Sequence, residues 1–224
     1  MHTSLKNHPL FRNISEENIK LLTDCLDIYE KEYLKNEYII LENNKIDFIG
    51  IVTQGSIYME QEDFFGNKYF FTSMPKNNLF GEIFISYDII DCSVNYRATT
   101  NCKIIFIRYA SILNKCQKSC IQHSQLIENL INLMAYKSRI LIEKIEIISK
   151  STIRQRLITY FKILSKKQKT NTIISNLNHT ELADYICANR SSMLRELKNM
   201  EKDGLIKFKD NTYHLSNLSD TYFT

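Results

Sequence analysis

A guanidinium can donate two parallel hydrogen bonds to O6 and N7 of guanine, which discriminates against other bases by about 1–3 kcal/mol. Two arginines are placed for that chemistry in the run Arg190-Ser191-Ser192-Met193-Leu194-Arg195, with Lys198 one turn further on. Lys207 and Lys209 follow in a short alternating stretch. Their ammonium groups suit phosphate oxygens, contacts that position a protein on a duplex without reading it. Short polar side chains surround the arginines, so the candidate DNA-contacting set is Thr180, Asn189, Arg190, Ser191, Ser192, Arg195, Lys198, Lys207 and Lys209. The other reactive residues are less organised. The five histidines (His2, His8, His123, His179 and His214) show no metal-ligand spacing, and no nucleophile-plus-base motif is present. Neither a metal site nor an enzyme active site is therefore expected.

Local elements must hold those arginines outward. Asn178 with Glu181 three residues later reads as a capping box that opens a short helix. Ala183 is small enough for a second helix to cross nearby, and Asn189 can cap that second helix over Arg190–Lys202. Met193, Leu197 and Met200 recur on its inner face, which leaves Arg190, Ser191, Ser192 and Arg195 outside. Two short helices joined by a tight turn form a helix-turn-helix, whose second helix fits a major groove. Gly204 ends that helix, and residues 205–209 pair with 212–215 across Asp210-Asn211 as a two-stranded wing. Upstream, residues 151–164 carry Ile153, Leu157, Phe161 and Leu164 on one helical face, and 165–171 read as a Lys-rich loop.

The front of the chain has a different texture. Ser15 caps a short helix with Glu16 and Glu17 in its first turn. Residues 28–107 then form short runs rich in Ile, Val, Tyr, Phe and Thr, divided by Asn, Asp and Gly. Phe65-Gly66-Asn67-Lys68 reads as a hairpin turn between two of them. Many short strands at this spacing imply an antiparallel sandwich or barrel. Residues 125–148 turn helical without Gly or Pro, about 36 Å long at about 1.5 Å per residue. Leu133, Ile140 and Ile147 lie seven apart, as do Ile127, Met134, Leu141 and Ile148. A stripe this broad needs partners on two sides, one its own β domain and the other a second copy of the helix. Lys137 and Lys144 fall inside the stripe and are expected to snorkel outward, the alternative being that one of them reaches an anionic ligand buried against the helix.

The expected fold is α+β in three stretches: an N-terminal antiparallel β-roll (jelly-roll-like) over 1–110, a dimerisation helix over 111–149 and a winged helix-turn-helix over 150–224. From Lys150 onward 13 Lys and Arg stand against 7 Asp and Glu, whereas residues 1–149 are slightly acidic, so the C-terminal third is the part suited to a polyanion. No apolar run is long enough to cross a bilayer and no secretion signal opens the chain, which makes a cytoplasmic protein without membrane contact the expectation. The six cysteines, Cys25, Cys92, Cys102, Cys116, Cys120 and Cys187, then read as thiols buried like small hydrophobes. Cys116 and Cys120, one helical turn apart, leave a redox pair as the alternative.

Over nearly its whole length the chain resembles the Crp/Fnr family of bacterial regulators. The motifs that carry the resemblance are Phe80-Gly81-Glu82 with Ser93 and Arg97-Ala98-Thr99-Thr100, then Thr180-Glu181-Leu182-Ala183 through Gly204-Leu205-Ile206. It implies a homodimer on a palindromic double-stranded DNA site, pairing through residues 125–148 and contacting RNA polymerase. It also implies an effector pocket at Gly81, Glu82, Cys92, Ser93, Leu141 and Ile142. In cyclic-AMP-binding members an arginine precedes the pocket serine and neutralises the phosphate; here Cys92 takes that place. Leu141 and Ile142 stand where those members carry hydroxyl residues against the adenine. Burying an unpaired phosphate is costly, so no cofactor is assigned, cyclic AMP control is not expected, and any effector is of another kind. Ser191 replaces the glutamate of the usual Arg-Glu-x-x-x-Arg reading motif, Cys187 a turn glycine, and Glu196 a residue that is often apolar. The competing reading is a cyclic-nucleotide or other small-ligand sensor that acts on a protein partner.

Overall fold

The computed structural model describes residues 5–66, 68–84, 91–113 and 121–216. Contacts divide the chain into two compact units, Met1–Met134 and Ala135–Thr224, and the division falls inside one long helix.

Among the described residues of the first unit, eight strands form two four-stranded antiparallel sheets. They are β1 (Ile28–Tyr33), β2 (Tyr38–Ile40), β3 (Phe48–Gln54), β4 (Ser56–Glu62), β5 (Lys68–Pro75), β6 (Leu79–Phe80), β7 (Asn95–Ala98) and β8 (Cys102–Arg108). One sheet runs β1-β8-β3-β6 and the other β2-β7-β4-β5, the expected roll. Both faces of β8 are covered, which is why Ile104 to Ile107 are all buried. Ile104 and Phe106 point into the roll with Val52, Phe80 and Tyr96. Ile105 and Ile107 face the other way, onto Ile19 and Leu22 of α1 (Glu16–Cys25) and Ile112 of α2 (Tyr109–Leu113). Ser15 caps α1 as expected, its Oγ accepting from Asn18 N–H. The β4–β5 hairpin turns at Gly66, where φ is +81°.

The long helix α3 spans Ile121–Ile148, one turn more at its N-terminal end than its apolar period indicates. Leu126 and Leu130 are buried, and Leu133 packs, half-buried, on the first unit's core. Ile147 belongs to the core of the second unit. A different row stays exposed: Ile131, Met134, Leu141 and Ile145. Lys144 does not extend into solvent but lies over the Tyr185 ring, 5.4 Å from its centroid.

The second unit is built from α4 (Ile153–Gln168), β9 (Thr172–Ile174), α5 (His179–Tyr185), α6 (Arg190–Lys202), β10 (Ile206–Lys209) and β11 (Thr212–Leu215). Two expectations are corrected here. The Lys-rich stretch is not a loop from 165 onward; α4 continues through it to Gln168, with Lys166 and Lys167 in the last turn and Lys169 left-handed at φ +54°. Cations are favourable at a helix C-terminus, so lysines there extend the helix. The wing has three strands, because β9 adds to β11 with Tyr213 opposite Ile173. Among the cysteines, Cys92 and Cys102 are buried thiols, whereas Cys25 and Cys187 are exposed. Cys116 and Cys120 lie outside the described residues.

Candidate nucleic-acid interface

Capping sets where each helix of the second unit begins. Thr152 Oγ accepts from Gln155 N–H while the Gln155 side chain accepts from Thr152 N–H, a reciprocal box that starts α4. Asn178 and Glu181 do the same for α5, with Asn178 Oδ1 accepting from Thr180 and Glu181 N–H. Asn189 caps α6, its Oδ1 accepting from Ser191 N–H at 2.9 Å. Its carboxamide is therefore engaged in holding the helix start. Between the helices Cys187 has φ +53°, the left-handed conformation for which related turns use glycine.

Met193, Leu197 and Met200 are buried on the inner face of α6, against Leu182, Ala183, Leu157 and Phe161. That burial turns Arg190, Ser191, Arg195 and Lys198 to the exposed side, with Ser192 half-buried at its edge. Ser191, Arg195 and Lys198 follow at four and three residues and so share one stripe. Thr180 is exposed on α5. In the wing, strand alternation buries Ile206 and exposes Lys207 and Lys209, with His214 opposite Lys207 and Thr212 opposite Lys209. Nine residues expected at a duplex surface thus lie on two helices and one hairpin of the same unit.

Two arginines that the sequence motif leaves out hold this arrangement. Arg154 on α4 donates to Glu196 through Nε and pairs with Asp203 through Nη1 at 2.7 Å. These carboxylates raise its pKa, the Glu196 hydrogen bond foremost. Glu196 therefore replaces an apolar contact with an ion pair. Arg156 donates to backbone carbonyls on either side of it, at Lys150, Ile186 and Cys187. Beneath, the Tyr160 and Ser175 hydroxyls lie 2.8 Å apart, and burial raises the Tyr160 pKa.

The expected effector residues do not form one exposed set. In the first unit Gly81, at φ +86°, Glu82 and Cys92 are buried, whereas Ser93 is exposed. The Cys92 thiol donates to Val94 O at 3.0 Å, and burial pushes its pKa up. Tyr96, fully buried and 5.0 Å from the Phe80 ring, sets its phenol oxygen where Gly81 N–H donates to it. Burial first, then the Glu82 charge, raises that phenol's pKa. Residue 96 was not among the expected pocket residues. Leu141 and Ile142 belong to the second unit, where both are exposed on α3.

Residues 30–119 match the cyclic nucleotide-binding domain, and residues 155–219 match the Crp-like helix-turn-helix domain. No curated protein matches the chain. Among solved structures the fold is similar to that of a CooA mutant from Carboxydothermus hydrogenoformans, at TM-score 0.64 and 15% identity over 95% of this chain and 93% of that one. The Xanthomonas campestris regulator CLP gives 0.56 at 19% identity, covering 88% of this chain and 97% of that one. The Thermus thermophilus catabolite activator protein gives 0.53 at 17% identity over 93% of each. Among the described residues no helix is long and apolar enough to cross a membrane. A cyclic nucleotide-binding-type roll and a Crp-like helix-turn-helix in one chain, in this order, place it in the Crp/Fnr family of transcription regulators.

Proposed function

We propose that the chain works as a homodimer that reads a two-fold symmetric DNA site through α6, without ordinary cyclic AMP control. The observation that carries this reading is the division of α6 into a buried Met193-Leu197-Met200 face and an exposed Ser191-Arg195-Lys198 face flanked by Arg190. Arg190 and Arg195 supply base contacts, and Lys207 and Lys209 supply phosphate contacts. Ser191, with no carboxylate to accept from a cytosine, gives a target that differs from the one read by Arg-Glu-x-x-x-Arg relatives.

Dimerisation is supported by the exposed row on α3. Ile131, Met134, Leu141 and Ile145 follow at steps of three, seven and four, the seam of a two-helix coil, and a second copy presents the same seam. Two reading helices then meet half-sites about 34–36 Å apart, one helical turn of DNA. Contact with RNA polymerase follows from the family resemblance.

Against cyclic AMP stands the chemistry at Cys92: a buried thiol bonded to Val94 O gives no positive charge for a phosphate. An effector of other chemistry, or control by abundance alone, fits better.

Gel-shift titration with duplex DNA at several salt concentrations tests the reading. The expected result is two chains per duplex and an affinity that falls steeply with salt. Lys207→Ala with Lys209→Ala should lower that log–log slope by about 2, one for each lost phosphate contact. One chain per duplex, or an unchanged slope, contradicts it.

A further inference from the structure

The Arg156 guanidinium joins two places that the chain order separates. Its Nε donates to Lys150 O at 2.8 Å, in the link between α3 and α4. Its Nη1 donates to Cys187 O at 2.9 Å and Ile186 O at 3.2 Å, in the turn between α5 and α6. Carbonyls at a helix C-terminus have no partner within their own helix, and a cation is a strong one. The planar fork also fixes direction, which a lysine ammonium on a flexible stem does not. Asn189, the α6 cap, is two residues beyond Cys187. The left-handed Cys187 aims its carbonyl at this same guanidinium.

We propose that Arg156 is a positioning residue for DNA reading: it fastens the turn ahead of α6 to the end of the long helix, so that the setting of α6 follows the end of α3. This rests on α6 being the DNA-reading helix. Arg156 itself needs no contact with a base. Its loss would leave the phosphate-binding lysines in place and remove the fixed angle at which Arg190 and Arg195 meet base edges. Specific binding depends on that angle and non-specific binding does not.

The test compares full-length wild type, Arg156→Gln and Arg156→Lys on two duplexes of equal length. One is the duplex the wild type selects from a randomised library, and the other is its scrambled counterpart. Both variants should bind the selected duplex about tenfold or more weakly, the scale of one or two charge-assisted hydrogen bonds, and the scrambled duplex with unchanged affinity. If Arg156→Gln does not fold, Arg156→Lys keeps the stem and the charge. In Arg156→Lys, amide exchange should speed up at residues 187–190 and not at 193–200. Equal weakening on both duplexes, unchanged binding to the selected one, or uniform exchange overturns the proposal. Arg195→Ala, run alongside, separates the two failures. If it loses the selected duplex while Arg156→Gln keeps it, α6 still reads DNA and only the role of Arg156 is lost. A wild type that selects no duplex overturns both.

Discussion

Arg154 on α4 donates through Nε to the Glu196 carboxylate on α6, at 2.5 Å. The same guanidinium reaches Asp203, the residue that closes α6, so one side chain grips that helix at its middle and its end. Arg154→Ala should lower the stability of the C-terminal unit by about 1 kcal/mol, since a partly exposed ion pair contributes less than a buried one. Urea unfolding measures this, and Glu196→Gln, which keeps an acceptor for Arg154, should cost less.

Gly50 on β3 lies against the ring of Phe80 on β6. A Cβ at position 50 would come within 2.3 Å of that ring. Gly50→Ala should therefore destabilise the roll by about 1–3 kcal/mol through overpacking, and Phe80→Leu in the same chain should return part of the loss. Thermal unfolding of the two variants checks the coupling.

Cys187 and Gly204 both adopt left-handed backbone conformations, at φ +53° and +71°. Only one of them is glycine. Cys187→Gly should stabilise the protein by about 0.5–1 kcal/mol, because relief of the left-handed strain exceeds the extra entropy of glycine in the unfolded chain. Gly204→Ala should cost about 1 kcal/mol, although nothing lies within 4 Å of the added methyl, which makes the backbone angle the sole cause. Denaturant midpoints should move in opposite directions.

The caps and the inner face of α6 were legible from residue types alone, because each depends on neighbours within four positions. Asn178 with Glu181, Asn189, and the Met193-Leu197-Met200 repeat all stand as expected. Which apolar row of α3 would be free was not. Counting by sevens placed Met134 and Leu141 in one row with Ile127 and Ile148, and passed over Ile131 and Ile145. Exposure there depends on what covers the other rows, and that is decided far away in the chain. Nothing local in the sequence singles out Arg154 and Arg156, since all their partners but Lys150 lie about 30 to 50 residues on. The place of Tyr96 is hidden from the sequence for the same reason: only the closed roll brings it to Gly81 and Phe80.

Tyr213 is fully buried, and its hydroxyl has no hydrogen-bond partner among the described residues. Burial, with Tyr160 adding to it, pushes its pKa up to about 12. The folded state thus holds the neutral phenol. That contribution is complete below pH 10 and is lost at about 1.4 kcal/mol per unit as pH rises from 10 to 12. Tyr213→Phe should equal or exceed wild-type stability at neutral pH and lose less of it over that alkaline range. Tyr33 in the first unit, also at about 12, retains its own share of the alkaline loss. Chemical denaturation at pH 7, 10 and 11.5 reads both effects.

The exposed α3 row should answer to charge. Leu141→Glu and Ile145→Glu each place a carboxylate on the proposed seam, at positions 58% and 60% exposed in the single chain. Sedimentation equilibrium should show wild-type dimers and mutant monomers, with little change in the unfolding of the single chain. Unaltered dimers would move the interface elsewhere.

The most direct test of the central claim is selection from a randomised duplex library by wild type and Arg195→Ala, with no ligand added. The account predicts that wild type enriches a two-fold symmetric sequence and that Arg195→Ala loses preference at one base pair in each half-site, by about 1–3 kcal/mol. Enrichment of the same sequence, at the same strength, by both proteins would contradict it.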